Sequence, residues 1–170
     1  MADAVVKQIV KRHQRVAFMN TGTSDAPVFT RMKNFTDMTN SKNPKEYSRQ
    51  YVDEEFEESD VVGYAPSIAY SFDRHTNSAV HEKIAKIHDG ELTGSETIVD
   101  ILIVDLFTKA EDTGECEARR RSYAVIPSDD GRGTDALIYT GTFKAKTTKE
   151  ECKATVSDDG LTATYIAAKS

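Results

Sequence analysis

Cysteine is scarce, long apolar runs are missing and positive charge is in deficit, and each shortage removes a class of protein. The two cysteines, Cys116 and Cys152, lie far apart in a sequence of 170 residues. Neither belongs to a Cys-x-x-Cys pair, which disfavours the usual cysteine-built metal site. The expectation is two reduced thiols packed as small apolar side chains. The longest apolar run, residues 101–104, is closed by Asp100 and Asp105. It falls far short of the roughly 20 residues that span a bilayer. The first residues lack the basic stretch and apolar core of a secretion signal, so folding in a cytoplasm, away from membranes, is expected.

Lysine and arginine number 22 against 28 aspartates and glutamates, for a formal net charge of −6. Such a surface repels a phosphate backbone and disfavours a nucleic-acid-gripping role. The two basic clusters, Lys7-Lys11-Arg12-Arg15 and Arg119-Arg120-Arg121, lack interleaved stacking aromatics. They read as solvated faces or ion-pair donors.

Catalytic signatures are equally thin. There is no Gly-x-Ser-x-Gly elbow, and Gly131-Arg132-Gly133 lacks the Lys-Ser/Thr ending of a phosphate loop. His81 and His88 share a helix face, but seven residues separate them by about 10 Å, too far for one metal ion. The expectation is therefore a non-enzyme with no cofactor and no metal.

What is present is a succession of short strand-like runs. Residues 15–19 and 28–32 flank the turn cluster Asn20-Thr21-Gly22-Thr23-Ser24-Asp25, which predicts a hairpin. Before it, Val5, Val6, Ile9 and Val10 recur at helical spacing, suggesting a short helix or arm over residues 1–14. Residues 33–64 are polar and acidic and read as a long loop, with an extended piece at 46–52. A strand follows at 68–72. A helix is predicted at about 78–89, capped by Asn77 or Ser78, striped by Val80, Ile84 and Ile87, and ended at Asp89-Gly90. Residues 97–107 read as a central strand. More open strands are expected at 119–126, 136–145, 152–156 and 161–166. The tetrapeptides Ser128-Asp129-Asp130-Gly131 and Ser157-Asp158-Asp159-Gly160 read as β-turns. The length fits one domain over 15–170, mainly β (α+β): a two-sheet β-sandwich or partly closed barrel with one flanking α-helix.

Several stretches resemble the major tail protein (tail tube protein) family of long-tailed phages and prophages of Gram-positive bacteria. They include Asn20-Thr21-Gly22-Thr23, Thr30-Arg31-Met32, Ser41-Lys42-Asn43-Pro44-Lys45-Glu46-Tyr47 and Tyr51-Val52-Asp53-Glu54. The block Val61-Val62-Gly63-Tyr64-Ala65-Pro66-Ser67-Ile68-Ala69-Tyr70-Ser71-Phe72-Asp73 is the strongest. Val80-His81-Glu82-Lys83-Ile84, Ser122-Tyr123-Ala124-Val125-Ile126-Pro127 and Thr140-Gly141-Thr142-Phe143-Lys144-Ala145 follow in the same order.

The resemblance implies a structural virion protein, made in the host bacterial cytoplasm and located in the virion tail. It would form hexameric rings that stack into the tail tube conducting DNA during ejection, and DNA would pass without specific binding. The family implies a tape measure protein and tail terminator or tip proteins as partners. It also implies that the long loop reaches the neighbouring ring, through Tyr47, Tyr51, Asp53, Glu54, Glu55, Phe56, Glu57 and Glu58. The inner tube of a contractile tail or of a phage-like bacteriocin shares the architecture and stays open. A β-sandwich binding module of the tail is the reading from a different class.

Overall fold

The computed structural model describes residues 8–168. Eleven strands and one α-helix are found among them: β1 (Arg15–Asn20), β2 (Phe29–Arg31), β3 (Phe35–Ser41), β4 (Pro44–Arg49), β5 (Glu58–Tyr64), β6 (Ser67–Asp73), α1 (Ala79–Asp89), β7 (Ile98–Asp105), β8 (Cys116–Asp130), β9 (Ile138–Ala145), β10 (Glu150–Val156) and β11 (Thr162–Ile166). Nine strands belong to one large sheet, and β4 and β5 form a separate pair. The fold is mainly β with a flanking helix, as the sequence pattern predicts. The chain groups into two compact units. One comprises residues up to 32, 101–120 and 149 onward; the other comprises 33–100 and 121–148.

In the first unit β1 and β2 form the predicted hairpin, with Phe18 opposite Arg31 and Asn20 opposite Phe29. The hydrogen-bonded order runs β10–β11–β2–β1–β7–β8, and β10 also pairs with β8. These pairings make a ring of hydrogen bonds without a full barrel. Inside lie Phe18, Phe29, Leu102, Val104, Ala118 and Ala154. Cys116 and Cys152 are buried and free, each opposite an alanine of the neighbouring strand.

The motif opening at Asn20 has a structural use here. Asn20 is buried, and its side-chain oxygen accepts from the Gly22 and Val28 amides at 2.9 and 3.0 Å. A Cβ on Gly22 would collide with the Ala26 carbonyl oxygen, so the turn closes only around glycine.

In the second unit the order is β8–β9–β6–β3, with β3 ending the sheet. Alternation on β6 turns Ile68, Tyr70 and Phe72 inward. The helix packs there with Val80, Ile84 and Ile87 fully or almost fully buried. Its apolar stripe is broader than the three predicted residues, because His81, Ala85 and His88 are buried as well. Ser78 is the N-cap, its side chain accepting from the His81 amide. The helix ends at Gly90 as predicted, but Glu91 (φ 48°) takes the left-handed conformation, and the Leu92 amide bonds to the Ile87 carbonyl at 3.2 Å. Gly90 has φ −85°, and what a Cβ there would meet is the Lys86 carbonyl at 2.8 Å.

Three local expectations change. Ser128, Asp129 and Asp130 lie within β8, where Asp129 opposes Thr140 and Asp130 opposes Tyr139 across a bulge after Pro127. Cross-strand pairing overrides the turn signal there, and the turn itself starts at Gly131, with φ 80°. Residues 33–64, read as a long loop with an extended piece at 46–52, hold three strands: β3 joins the large sheet, while β4 and β5 form a hairpin. At the N-terminus, Val5 and Val6 lie outside the described residues. Residues 8–11 have no regular structure, and Arg12–Gln14 form a single 3-10 turn.

Candidate assembly surface

The β4–β5 hairpin is built from strands that bury nothing. All six residues of β4 and six of the seven in β5 are exposed. Its register is fixed by backbone pairing, with Tyr47 opposite Asp60, Ser48 opposite Ser59 and Arg49 opposite Glu58. The Ser48 and Ser59 hydroxyls meet at 2.7 Å, and the Arg49 guanidinium lies 5.3 Å from the Tyr47 ring centre. At its base Asn43, with φ 46°, donates its amide to the Ala65 carbonyl and the Ser67 hydroxyl. The tip is tied by Gln50, whose amide donates to the Glu54 and Glu55 carbonyls.

Two features make this hairpin the leading functional candidate. An isolated two-stranded hairpin is only marginally stable in water, so one with both faces solvated gains from a covering partner. Its side chains also suit a contact. Tyr47, Tyr51, Val52, Phe56, Val61, Val62 and Tyr64 are exposed apolar residues. Residues 43–65 carry seven acidic and two basic side chains, a net −5 within a chain of net −6. The predicted residues Tyr47, Tyr51, Asp53, Glu54, Glu55, Phe56, Glu57 and Glu58 all lie on this hairpin or its tip, whereas Val80, Ile84 and Ile87 are core.

The charges around Asp105, Asp100 and Arg120 are committed to internal contacts. Asp105 is 2% exposed and accepts from Arg15 at 2.6 Å and Arg119 at 2.5 Å. Asp100 accepts from the Ser122 hydroxyl. Neither acid is therefore an isolated surface charge. Arg120 lies over the Phe29 and Tyr165 rings, 5.5 and 4.8 Å from their centres. The arginine run is thus an ion-pair and stacking element, not a nucleic-acid patch.

The histidines turn out to hold the helix. His81 donates through Nε2 to the Lys33 carbonyl at 2.8 Å, while its Nδ1 accepts from the His75 amide at 3.0 Å. That donor–acceptor pairing requires a neutral ring. Burial, opposed by the Lys33 carbonyl, holds its pKa below the ordinary value. His88 shares a buried hydrogen bond with Tyr70, and burial likewise lowers its pKa. Helical spacing alone does not show these roles, because the partners lie outside the helix.

Among the described residues no group of three or more histidine, cysteine or acidic side chains is placed to hold a metal ion. No helix is long and apolar enough to cross a membrane. A groove of about 540 Å³ beside β10 is lined by Glu117, Arg119, Glu151, Cys152 and Lys153 among others. Its acids and bases alternate, so it offers no field of one sign.

No family model matches the sequence, and no curated protein matches it. Solved structures do match the fold. One is the tail of an empty GTA particle with C6 symmetry: 8% identity, covering 84% of this chain and 98% of that one, at a TM-score of 0.59. Another is the sixfold-symmetrised baseplate of the anti-feeding prophage, at 10% identity, covering 86% and 97%, with a TM-score of 0.50. This chain shares their fold. At such identities the likeness concerns the backbone alone, and the surface chemistry must be argued from this chain's own residues.

Proposed function

We propose that the chain is a structural subunit of a virion tail, closing into hexameric rings that stack as the tube conducting DNA. The observation that carries this reading is the fold match over nearly the whole length of a subunit from a C6-symmetric tail. Two features of the chain fit it. The sheet of the second unit ends in β3, whose outer edge offers backbone groups for pairing across a ring interface. The solvated β4–β5 hairpin supplies a contact to the next ring. A ring needs one interface that closes and a tube needs a second that does not.

The acidic balance suits a conduit. Counterion-release binding of phosphates needs lysine and arginine, and a net-negative wall would let DNA slide without adhering. At physiological salt that field reaches only about 8 Å. In this role the chain performs no catalysis and needs no cofactor. Its partners are its own copies, with tape measure and terminator or tip proteins at the ends of the tube.

Electron microscopy of concentrated purified protein tests the proposal. Rings and tubes with sixfold symmetry are expected, and dispersed particles at every concentration would overturn it. A second version keeps the ring and replaces residues 44–64 by two glycines. The Ala65 amide already meets the Asn43 carbonyl at 3.2 Å, so the short link fits. Single rings without tubes are expected; normal tubes would remove the hairpin from the ring-to-ring contact.

A second reading is the inner tube of a contractile tail or phage-like bacteriocin, and the likeness to a sixfold-symmetrised prophage baseplate is compatible with it. A sheath protein encoded beside this chain, and binding its assembled tubes in vitro, would select that reading.

A further inference from the structure

The hairpin presents exposed apolar residues in an acidic field, and a second exposed segment of this chain is its chemical complement. Residues 8–15, Gln-Ile-Val-Lys-Arg-His-Gln-Arg, carry three basic side chains and no acidic one. Ile9 is 90% exposed and Val10 is 52% exposed. The segment's second half, residues 11–15, is held in place. Gln14 caps the turn, its side chain accepting from the Lys11 amide at 2.7 Å and its amide donating to the Lys11 carbonyl at 3.0 Å. Arg15 is anchored on Asp105. Lys11 and Arg12 are exposed and follow directly on the exposed Ile9 and Val10, with one Arg12 nitrogen donating to the Arg15 carbonyl at 2.9 Å.

On the hairpin, Val52 is fully exposed and Phe56 is 76% exposed, with Asp53, Glu54, Glu55 and Glu57 between and beside them. Within one chain neither apolar pair is covered. Each surface has the composition that the other needs: aliphatic contact at the centre and opposite charge around it.

We infer that the hairpin tip of one copy docks on the residue 8–15 segment of another. Ile9 and Val10 cover Val52 and Phe56, and Lys11 and Arg12 meet the acidic run. The contact is head-to-tail, joining two different patches, and such a contact propagates along a stack where its rotation does not close a ring. This inference rests on the tube reading and names the two surfaces that meet between rings.

Site-directed disulfide formation tests it. Ile9→Cys and Val52→Cys variants are prepared separately, mixed at assembly concentration and oxidised. The native thiols are buried, and burial raises the pKa of both, so their background is low. A cross-linked heterodimer is expected from the mixture and from neither variant alone. If micrographs show tubes but no heterodimer forms, the pairing is wrong and the tube reading stands. If neither appears, both fail. Heterodimer without rings or tubes would keep the pairing and overturn the tube. A charge-reversal pair gives an independent reading. Lys11→Glu with Arg12→Glu should abolish tubes, and mixing in Glu54→Lys with Glu55→Lys protein should restore contacts. No recovery in the mixture, with both variants folded, would also reject the pairing.

Discussion

Tyr70 on β6 and His88 on α1 share a buried hydrogen bond of 2.6 Å, which ties the helix to the sheet of the second unit. Burial raises the tyrosine's pKa and lowers the histidine's, so both are neutral near pH 7. Tyr70 also stacks on Phe143 at 4.4 Å between centres. Tyr70→Phe keeps the ring and strands the imidazole nitrogen, with a cost of about 1–3 kcal/mol. Urea unfolding reads the cost. Faster hydrogen exchange at the α1 amides, compared with those of β1, would place it at the helix.

The same hydroxyl limits what can stand opposite. A Cβ at Gly141 would lie 2.5 Å from the Tyr70 oxygen and 2.6 Å from the Ile126 carbonyl. Gly141→Ala should therefore destabilise by about 1–3 kcal/mol through overpacking. Adding Tyr70→Phe removes the hydroxyl clash but leaves the ring carbon at 2.7 Å and the backbone carbonyl, so the double variant should recover only part of the loss relative to additivity. Full additivity in denaturation would show that the hydroxyl is not the obstacle.

Both buried imidazoles titrate below the ordinary value of about 6.5 in the folded chain. Once pH falls below about 6.5, the unfolded chain therefore binds more protons than the folded one. Stability is complete above that pH and declines as acid is added, by up to about 1.4 kcal/mol per pH unit for each histidine. For His81 the loss has a visible origin, since protonating Nδ1 breaks the bond from the His75 amide. Unfolding midpoints measured across this range, with and without His88→Gln, check it. The variant's slope should fall by one histidine's share.

How much of this was legible in the sequence follows from where the partners sit. The β1–β2 hairpin and α1 were readable because turn residues, caps and apolar spacing are local signals. The histidines were not, since His81 is satisfied by a carbonyl 48 positions away and by an amide on the turn before the helix. Residues 44–64 read as a loop for a different reason. Strands that bury neither face carry little apolar alternation, so only the extended piece at 46–52 was readable there. The acidic and aromatic residues of that segment nevertheless stood out by composition, so the candidate surface was located before its hairpin was visible.

Asp105 holds two arginines, Arg15 with a side chain 49% exposed and Arg119 at 29%. Their unequal exposure ranks the substitutions. Arg119→Ala should cost more than Arg15→Ala, because water replaces the lost contact less readily at the more buried site. The Arg119 effect should approach about 1.5–3 kcal/mol, the range for a hydrogen bond to a charged group, and the more exposed Arg15 should fall below it through solvent screening. Thermal unfolding of the two variants, with Asp105→Asn as a common reference, gives the order. Equal costs would mean that the acid's two contacts are interchangeable.

The exposed tip separates folding from assembly most sharply. Val52 and Phe56 are exposed and outside the core, so changing both to serine should leave unfolding free energy within about 0.5 kcal/mol of the parent. Association is another matter. Covering a Phe and a Val side chain contributes roughly 1.5–3 kcal/mol each, and a tube multiplies that contact around every ring. The variant should therefore fold normally and sediment as free subunits or single rings at concentrations where the parent forms tubes. Analytical ultracentrifugation beside urea unfolding measures both quantities on one preparation. Tubes from the serine variant at the parent's threshold concentration would mean that the tip is solvated in the assembly, and that ring stacking relies on another surface.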